Sequence, residues 1–313
     1  MLEKYVCTPP SMITQTIHWV NHPKCYVISE ASTEFKLALH NHKTRLANMT
    51  FDEFCAYYQP WKELLFRNCK YLPPDVSFKH AKAWIEQQAE HGWVTIPYET
   101  TVRREKRDAK FWVQKISNVV NRRERKRMAL IMQGPNSCGK TWFTNMILDF
   151  YLNKGELNNW NRYENCSFPF MNLANARIGL WNEALLNGDG SQVEHLKVLF
   201  EGESKAVCVK NCKDATVMRV PLIVTTNNTT FEKSISFKDR QTVLTVEKVP
   251  LLTGGPNCPA AVSLHPFAWP MLVKHYKVET NEDNGDDHSA PKILSLAEYC
   301  AMEDIAINVN LEQ

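Results

Sequence analysis

Gly134-Pro135-Asn136-Ser137-Cys138-Gly139-Lys140-Thr141 follows the pattern G-x-x-x-x-G-K-[ST], in which every fixed position has a chemical task. The glycines let the backbone turn tightly, so that consecutive N–H groups converge on a polyphosphate. Lys140 reaches for the terminal phosphates, and the Thr141 hydroxyl is placed to hold Mg2+. The implied ligand is a nucleoside triphosphate. Arg177-Ile178-Gly179-Leu180-Trp181-Asn182-Glu183 is an apolar run ending in an acid. At the C-terminal end of a neighbouring strand, Glu183 would orient and polarise an attacking water beside Mg2+; otherwise it is a surface residue following a buried strand. Val220-Pro221-Leu222-Ile223-Val224-Thr225-Thr226-Asn227-Asn228 ends in two amides. A carboxamide there can hydrogen-bond a γ-phosphate oxygen and the lytic water, although Thr-Thr-Asn-Asn also makes an ordinary strand-to-loop turn. Residues 204–219 read as two β-prone runs around a polar turn, a hairpin with Lys210 and Lys213 near its tip. Such lysines suit phosphate contact, and equally the protection of an exposed edge.

Local pattern supplies the elements that must hold these groups. Met128-Ala129-Leu130-Ile131-Met132 reads as a buried parallel strand, and residues 142–150 are apolar at helical spacing. Strand, glycine loop and helix are the context the phosphate-loop pattern requires. From there to about residue 250 strands and helices alternate, which predicts an α/β fold on a parallel sheet. Upstream, Thr50-Phe51-Asp52-Glu53 is a capping box opening one helix, and a second is expected around residues 61–66. A third, capped by Ser77 and ended by Gly92, carries Phe78, Ala81, Trp84 and Ile85 at helical spacing. These predict a small helical bundle ahead of the sheet, with one more helix over 108–120. Residues 1–44 give no clear pattern, and no internal repeat is evident.

Composition narrows the class. The chain has 313 residues, 44% hydrophobic and 23% charged, values of an ordinary globular protein. No apolar run approaches the ~18 residues of a membrane span, and the N-terminus lacks the plan of a secretory signal. Ten cysteines include no C-x-x-C pair, and one, Cys138, lies inside the glycine loop, so a reduced, intracellular setting is expected. The net charge of +3 conceals an asymmetry. Residues 101–127 carry eleven Lys/Arg against three acids, a net of +8, whereas 279–313 carry nine acids against Lys292, a net of −8. A region facing a polyanion and an acidic linker and tail are one reading; a solvated helix face is the other.

In order and spacing these motifs resemble the superfamily 3 helicases of small DNA viruses, most closely the replication (Rep, non-structural) proteins of parvoviruses and densoviruses. The resemblance covers residues ~106–250. Gly134 to Thr141 is similar to the family's Walker A, and Ser167-Phe168-Pro169-Phe170 to the element preceding Walker B. Leu180-Trp181-Asn182-Glu183 resembles Walker B itself, and Val224-Thr225-Thr226-Asn227 the sensor motif. Lys205 to Lys213 matches the segment of the DNA-gripping hairpin; Thr229-Thr230-Phe231-Glu232 with Asp239-Arg240 matches the segment ending in the arginine finger.

The resemblance implies an AAA+-type P-loop ATPase over residues 101–278, preceded by an unassigned segment 1–44 and a helical oligomerisation bundle over 45–100, and followed by an acidic tail 279–313. It implies an ATP-dependent DNA helicase of viral replication, using ATP and Mg2+ and encircling single-stranded DNA as a homo-oligomeric ring, a hexamer, in the host nucleus. Lys140, Glu183, Asn227 and Arg240 would be catalytic, with Arg240 acting on a neighbour's nucleotide; Thr141, Asn182 and Glu183 would surround the metal, and Lys210 and Lys213 would grip DNA. Basic runs at 103–107 and 122–127 would serve nuclear import.

Two departures stand out. Many relatives place two acids at the end of Walker B, whereas the first here is Asn182, which offers an oxygen without charge. The family's nicking domain uses paired metal-binding histidines and a tyrosine; only His40-Asn41-His42 offers such a pair, and it reads as two loop histidines. Asn182 keeps open an alternative, a nucleotide-gated DNA-binding scaffold with weak hydrolysis.

Overall fold

A computed structural model describes residues 2–3, 5–58, 64–66, 71–98, 101–157, 168–186, 190–208, 215–253 and 258–281. The chain begins with β1 (Val6–Thr8), α1 (Ile17–Val20), α2 (Thr33–Asn48), α3 (Phe51–Tyr57) and β2 (Leu64–Phe66). There follow α4 (Pro74–His91), β3 (Trp93–Tyr98), β4 (Thr101–Glu105) and α5 (Ala109–Val120). The central part comprises β5 (Ala129–Gln133), α6 (Lys140–Phe150), β6 (Lys154–Glu156), β7 (Ile178–Trp181) and α7 (Gly190–Glu201). It closes with β8 (Lys205–Val207), β9 (Ala215–Val217), β10 (Leu222–Thr226), α8 (Thr230–Lys233), β11 (Gln241–Thr245), α9 (Pro250–Thr253) and α10 (Ala268–His275).

Seven strands form one sheet in the order β4-β3-β11-β5-β10-β7-β6. The five from β11 to β6 are parallel, and β3 and β4 add an antiparallel edge. Counted along the chain, the parallel strands lie fifth, first, fourth, third, second, the AAA+-type arrangement expected. Side chains alternate across the sheet as strand geometry demands. Leu130, Met132 and Ile223 enter the core under α4, α5, α6 and α10, while Ala129, Ile131, Leu222 and Val224 enter the core under α7 and α8. All residues of β5, β10 and β11 are buried, the polar Gln133, Thr225, Thr226, Gln241, Thr242 and Thr245 among them.

The helices foreseen within 45–100 share the first of these cores with the sheet. Phe54 of α3 packs on Phe150 and Tyr151, and Trp84 of α4 stacks on Phe143 of α6 at 4.4 Å. The capping box at Thr50 and Glu53 is formed. Two local expectations fail. Leu64–Phe66 is a strand paired in parallel with Val6–Thr8, so a non-local ladder overrides the helical spacing read there. Helix α4 starts at Pro74, whose missing N–H suits the first turn, so Ser77 is not its cap. Ser77 is instead buried, bonding the Leu72 carbonyl and the His265 N–H.

His40 and His42 lie in α2, not in a loop; His40 is exposed and His42 buried. Residues two apart on a helix point to different sides, so the two histidines do not converge on one metal. Arg122 is likewise buried, donating to the Ala47 and Arg177 carbonyls, so 122–127 is not a free basic strand. Arg177, fully buried, donates to the carbonyls of Met49 and Val120 and lies 4.6 Å from the Tyr151 ring. It joins the N-terminal helices to the start of β7.

Candidate nucleotide site

Strand β5 runs into the glycine loop, and the loop opens α6. Gly139 precedes that helix at φ +91°, left-handed backbone that a Cβ would strain. A Cβ on it would also lie 2.4 Å from Leu252 Cδ1 and 2.8 Å from Trp84 Nε1. At Gly134 a Cβ would meet the Val246 carbonyl at 2.1 Å. Both glycines are therefore required by close approach of neighbouring segments. Helix α6 has eleven residues, enough to present its first N–H groups and its positive end to an anion.

Lys140 is buried, and its Nζ donates to the carbonyls of Gly134 and Pro135 at 2.8 Å and to Asn227 Oδ1 at 3.0 Å. The ammonium thus sits between the loop and the end of β10. Three neutral acceptors hold it, and a phosphate oxygen is a stronger acceptor than any of them. Cys138 is fully buried with its Sγ 3.5 Å from that ammonium, and the six described cysteines are all free.

Opposite Lys140, the turn after β7 carries Asn182 and Glu183, both exposed. Asn182 Oδ1 accepts from Thr141 Oγ1 at 3.2 Å and from Thr225 Oγ1 at 2.7 Å. The same Thr225 hydroxyl accepts the Glu183 N–H at 3.2 Å, and Glu183 itself has φ +51°. Thr226 Oγ1 donates to the Ala184 carbonyl, and Ala184 N–H to the Thr225 carbonyl, both at 2.8 Å. The end of β10 therefore fixes the turn that presents Glu183.

A cleft of about 330 Å³ runs between these groups, lined by residues 136–142, Glu183, residues 225–227, Leu252 and Ala260. A larger hollow of about 620 Å³ lies among residues of the N-terminal segment, Trp19, Phe35 and Arg45 included, away from this chemistry. The volume of the first fits a small ligand, and its oxygen donors (a hydroxyl, a carboxamide and a carboxylate) suit a hard divalent cation. Among the described residues no group of three His, Cys, Asp or Glu side chains could hold a metal ion by itself, as for a cation held partly by phosphates.

The structure thus brings together the whole glycine loop, Asn182, Glu183 and Asn227. Of the two amides left open by sequence, Asn227 reaches Lys140, while the Asn228 N–H bonds Thr226 Oγ1. Arg240 is placed elsewhere: its Nε donates to Glu201 Oε1 at 2.7 Å and its Nη1 to the Ser236 carbonyl at 2.7 Å. Strands β8 and β9 form the expected antiparallel hairpin, and Val207 and Val217 root it in the second core. Lys210 and Lys213 lie outside the described residues.

Sequence reading missed Thr225, Leu252, Ala260 and Trp84. Thr225 had a signal, its position at the end of an apolar strand; Leu252 and Ala260 reach the cleft, and Trp84 the glycine loop, only through tertiary packing.

Beneath the loop, Glu232 of α8 accepts from Arg104, Thr95 and Gln133. Burial pushes its carboxyl up, but the hydrogen bonds from Arg104, Gln133 and Thr95 outweigh it and hold the group below the usual carboxylate range.

Residues 112–231 match the family model described as parvovirus non-structural protein NS1. The initiator protein NS1 of Bombyx mori densovirus is 33% identical over 171 residues, which is 53% of this chain and 18% of that protein. The initiator protein NS1 of Junonia coenia densovirus is 35% identical over 162 residues, 51% of this chain and 28% of that protein. The chain therefore spans less than a third of the length of these curated relatives. Among solved structures, JCV helicase with a bound acetamide ligand gives a TM-score of 0.49 at 13% identity, covering 90% of this chain and 77% of that one. A second JCV helicase structure gives 0.46 at 14% identity, covering 77% and 68%. The segment that carries Gly134, Lys140, Thr141, Asn182, Glu183 and Asn227 is similar to parvovirus and densovirus NS1, the resemblance its motifs imply.

Proposed function

We propose that this chain is the ATP-hydrolysing DNA helicase part of a viral replication initiator. The observation that carries the reading is the convergence of Lys140, Thr141, Asn182, Glu183 and Asn227 on one cleft at the ends of β5, β7 and β10. The loop N–H groups and the α6 N-terminus bind the triphosphate, and Lys140 exchanges its carbonyl partners for phosphate oxygens. Thr141, with Asn182 and Glu183 near it, would hold Mg2+, which when bound neutralises charge on the β- and γ-phosphates. Glu183 orients the attacking water, and Asn227 contacts the γ-phosphate and that water. Arg240 serves the nucleotide of an adjacent copy in a ring, a hexamer in the proposed assembly. The β8–β9 hairpin presents Lys210 and Lys213 to the backbone of single-stranded DNA. Helices α3 and α4 belong to the collar of the ring, and replication of viral DNA would place the protein in the host nucleus. Among the described residues no helix is long and apolar enough to cross a membrane.

Lys140→Ala should abolish ATP turnover that single-stranded DNA stimulates in the wild type. Undiminished turnover would remove the loop from the chemistry. Asn182 favours one rival, a scaffold that assembles on DNA in a nucleotide-dependent way and hydrolyses weakly. DNA binding without DNA-stimulated turnover or strand separation would select it. Replacing Lys210 and Lys213 by Ala should weaken DNA binding and flatten its salt dependence by about one unit per lost phosphate contact.

A further inference from the structure

Helix α4 precedes the segment matched to NS1 and carries polar side chains on a buried face. Ser77, Ala81, Trp84 and Gln88 recur at helical spacing, and each has 0% exposure. Most buried polar atoms of Trp, Gln and Ser find a hydrogen-bond partner. Here two of these side chains spend their hydrogen bonds on two adjoining segments beside the nucleotide cleft, the glycine loop and the stretch after β11.

The Trp84 indole N–H donates to the Cys138 carbonyl, inside the glycine loop, at 3.0 Å. Its ring lies at 21° to Phe143 on the first turn of α6, so one side chain touches both the loop and the helix it opens. Gln88 exchanges two hydrogen bonds with the backbone of Glu247, in the stretch after β11. Nε2 donates to its carbonyl and Oε1 accepts its N–H, both at 2.8 Å. The pairing of β11 with β3 ends at Thr245 and Trp93, and the Gln88 amide extends that ladder by one more partner. Neighbouring Gln87 Oε1 accepts the Leu251 N–H at 3.1 Å, directly before Leu252, which lines the cleft.

We propose that α4 is a clamp that holds the glycine loop and segment 247–252 together beside the cleft. Trp84 is the positioning residue for the glycine loop, and Gln88 the positioning residue for segment 247–252. The inference rests on the reading of the cleft as a nucleotide site and adds to it a mechanical link. A loop already ordered by Trp84 loses less freedom when it binds phosphate, so the hydrogen bond contributes to affinity without touching the ligand.

The structure supplies an internal control. Trp112 of α5 is equally buried, and its Nε1 has no hydrogen-bond partner. Trp84→Phe and Trp112→Phe remove the same atoms from the core, but only the first removes a hydrogen bond to the loop. Amide hydrogen exchange is measured on the full, nucleotide-free chain, followed by titration with a fluorescent ATP analogue. Trp84→Phe should speed exchange over 134–143 by about threefold to tenfold, the range of one net hydrogen bond, and weaken the analogue by a similar factor. Trp112→Phe should lower the melting temperature comparably and leave both readouts at wild-type values. Gln88→Met, of similar length, should loosen 247–252 alone. Equal loop exchange in the two tryptophan variants, or unchanged 247–252 exchange in Gln88→Met, overturns the clamp. Loosening of the two segments in a chain that binds no analogue even as wild type upholds the clamp and sinks the nucleotide reading instead.

Discussion

Replacing Glu232 with Gln should cost stability in a way that disappears at low pH. Glu232 is 6% exposed, and its carboxylate takes two hydrogen bonds from Arg104, one from Thr95 at 2.8 Å and one from Gln133 at 2.8 Å. A carboxamide has one acceptor oxygen, and its NH2 would face donors. Removing one partner of a fully buried pair costs about 3–5 kcal/mol. The Arg104 side chain is 44% exposed, so water recovers part of its solvation and about 2 kcal/mol is the reasonable expectation. For a domain of this size that lowers the melting temperature by about 4–8 °C. The sign with pH follows from the depressed carboxyl. The unfolded chain binds this proton more readily than the folded one, so the stabilisation is complete above the ordinary carboxylate range. It is lost as pH falls through the folded value. Thermal melts followed by circular dichroism should show a constant gap between wild type and Glu232→Gln from about pH 8 to 6, closing below about pH 4. A gap that persists to pH 3, or no gap at neutral pH, would refute the assignment of Glu232 as an ionised tie beneath the glycine loop.

Gly139→Ala puts a Cβ at φ +91° and 2.4 Å from Leu252 Cδ1; it should destabilise by about 1–2 kcal/mol from backbone strain alone and abolish binding of an ATP analogue by titration. Asn182→Asp adds a charge where two threonine hydroxyls already donate, so the Mg2+ concentration for half-maximal ATPase should fall several-fold. An unchanged Mg2+ requirement would place Asn182 outside the metal's surroundings. Arg240→Ala should leave analogue binding intact and stop hydrolysis, and mixtures with wild type should lose more activity than dilution accounts for. Activity that tracks the wild-type fraction would argue against a role on a neighbour's nucleotide.

Much of the site was legible because its parts are local. The apolar strand, the glycine loop and α6 are contiguous, and the acid or amide ending each neighbouring strand marks where a parallel sheet presents its ligand-binding edge. Other features depend on distant partners. Leu64–Phe66 became a strand because Val6–Thr8 lies beside it. Helix α2 was invisible because its buried stripe is only Phe35, His42 and Leu46, too narrow to show against polar neighbours. The basic run at 122–127 read as solvent-facing, yet Arg122 is buried and Arg127 and Lys115 pair with Glu124. Charge counted along a chain says little about which guanidinium finds carbonyls inside.

The proposed ring would draw on the placement of Arg240 away from its own glycine loop. Strands β11 and β5 run in parallel with Gln241 opposite Ala129 and Thr245 opposite Gln133. Arg240 therefore begins one step before the sheet, while the glycine loop leaves its other end, some five residues or about 16 Å along the strand. In this chain the guanidinium is bonded to Glu201 and the Ser236 carbonyl at the end far from its own loop. Among the described residues lining the cleft, Lys140 alone carries a positive charge. Phosphoryl transfer of this kind gains greatly from a second cation, which in the proposed assembly an adjacent copy supplies. In a single chain Arg240 is held by Glu201, the last residue of α7, four positions before β8 and the hairpin. A guanidinium drawn to a neighbour's phosphate must leave Glu201, and the helix end it releases is the root of the proposed DNA-gripping element. In the proposed ring this ion pair would lie between the nucleotide of one copy and the hairpin of the next.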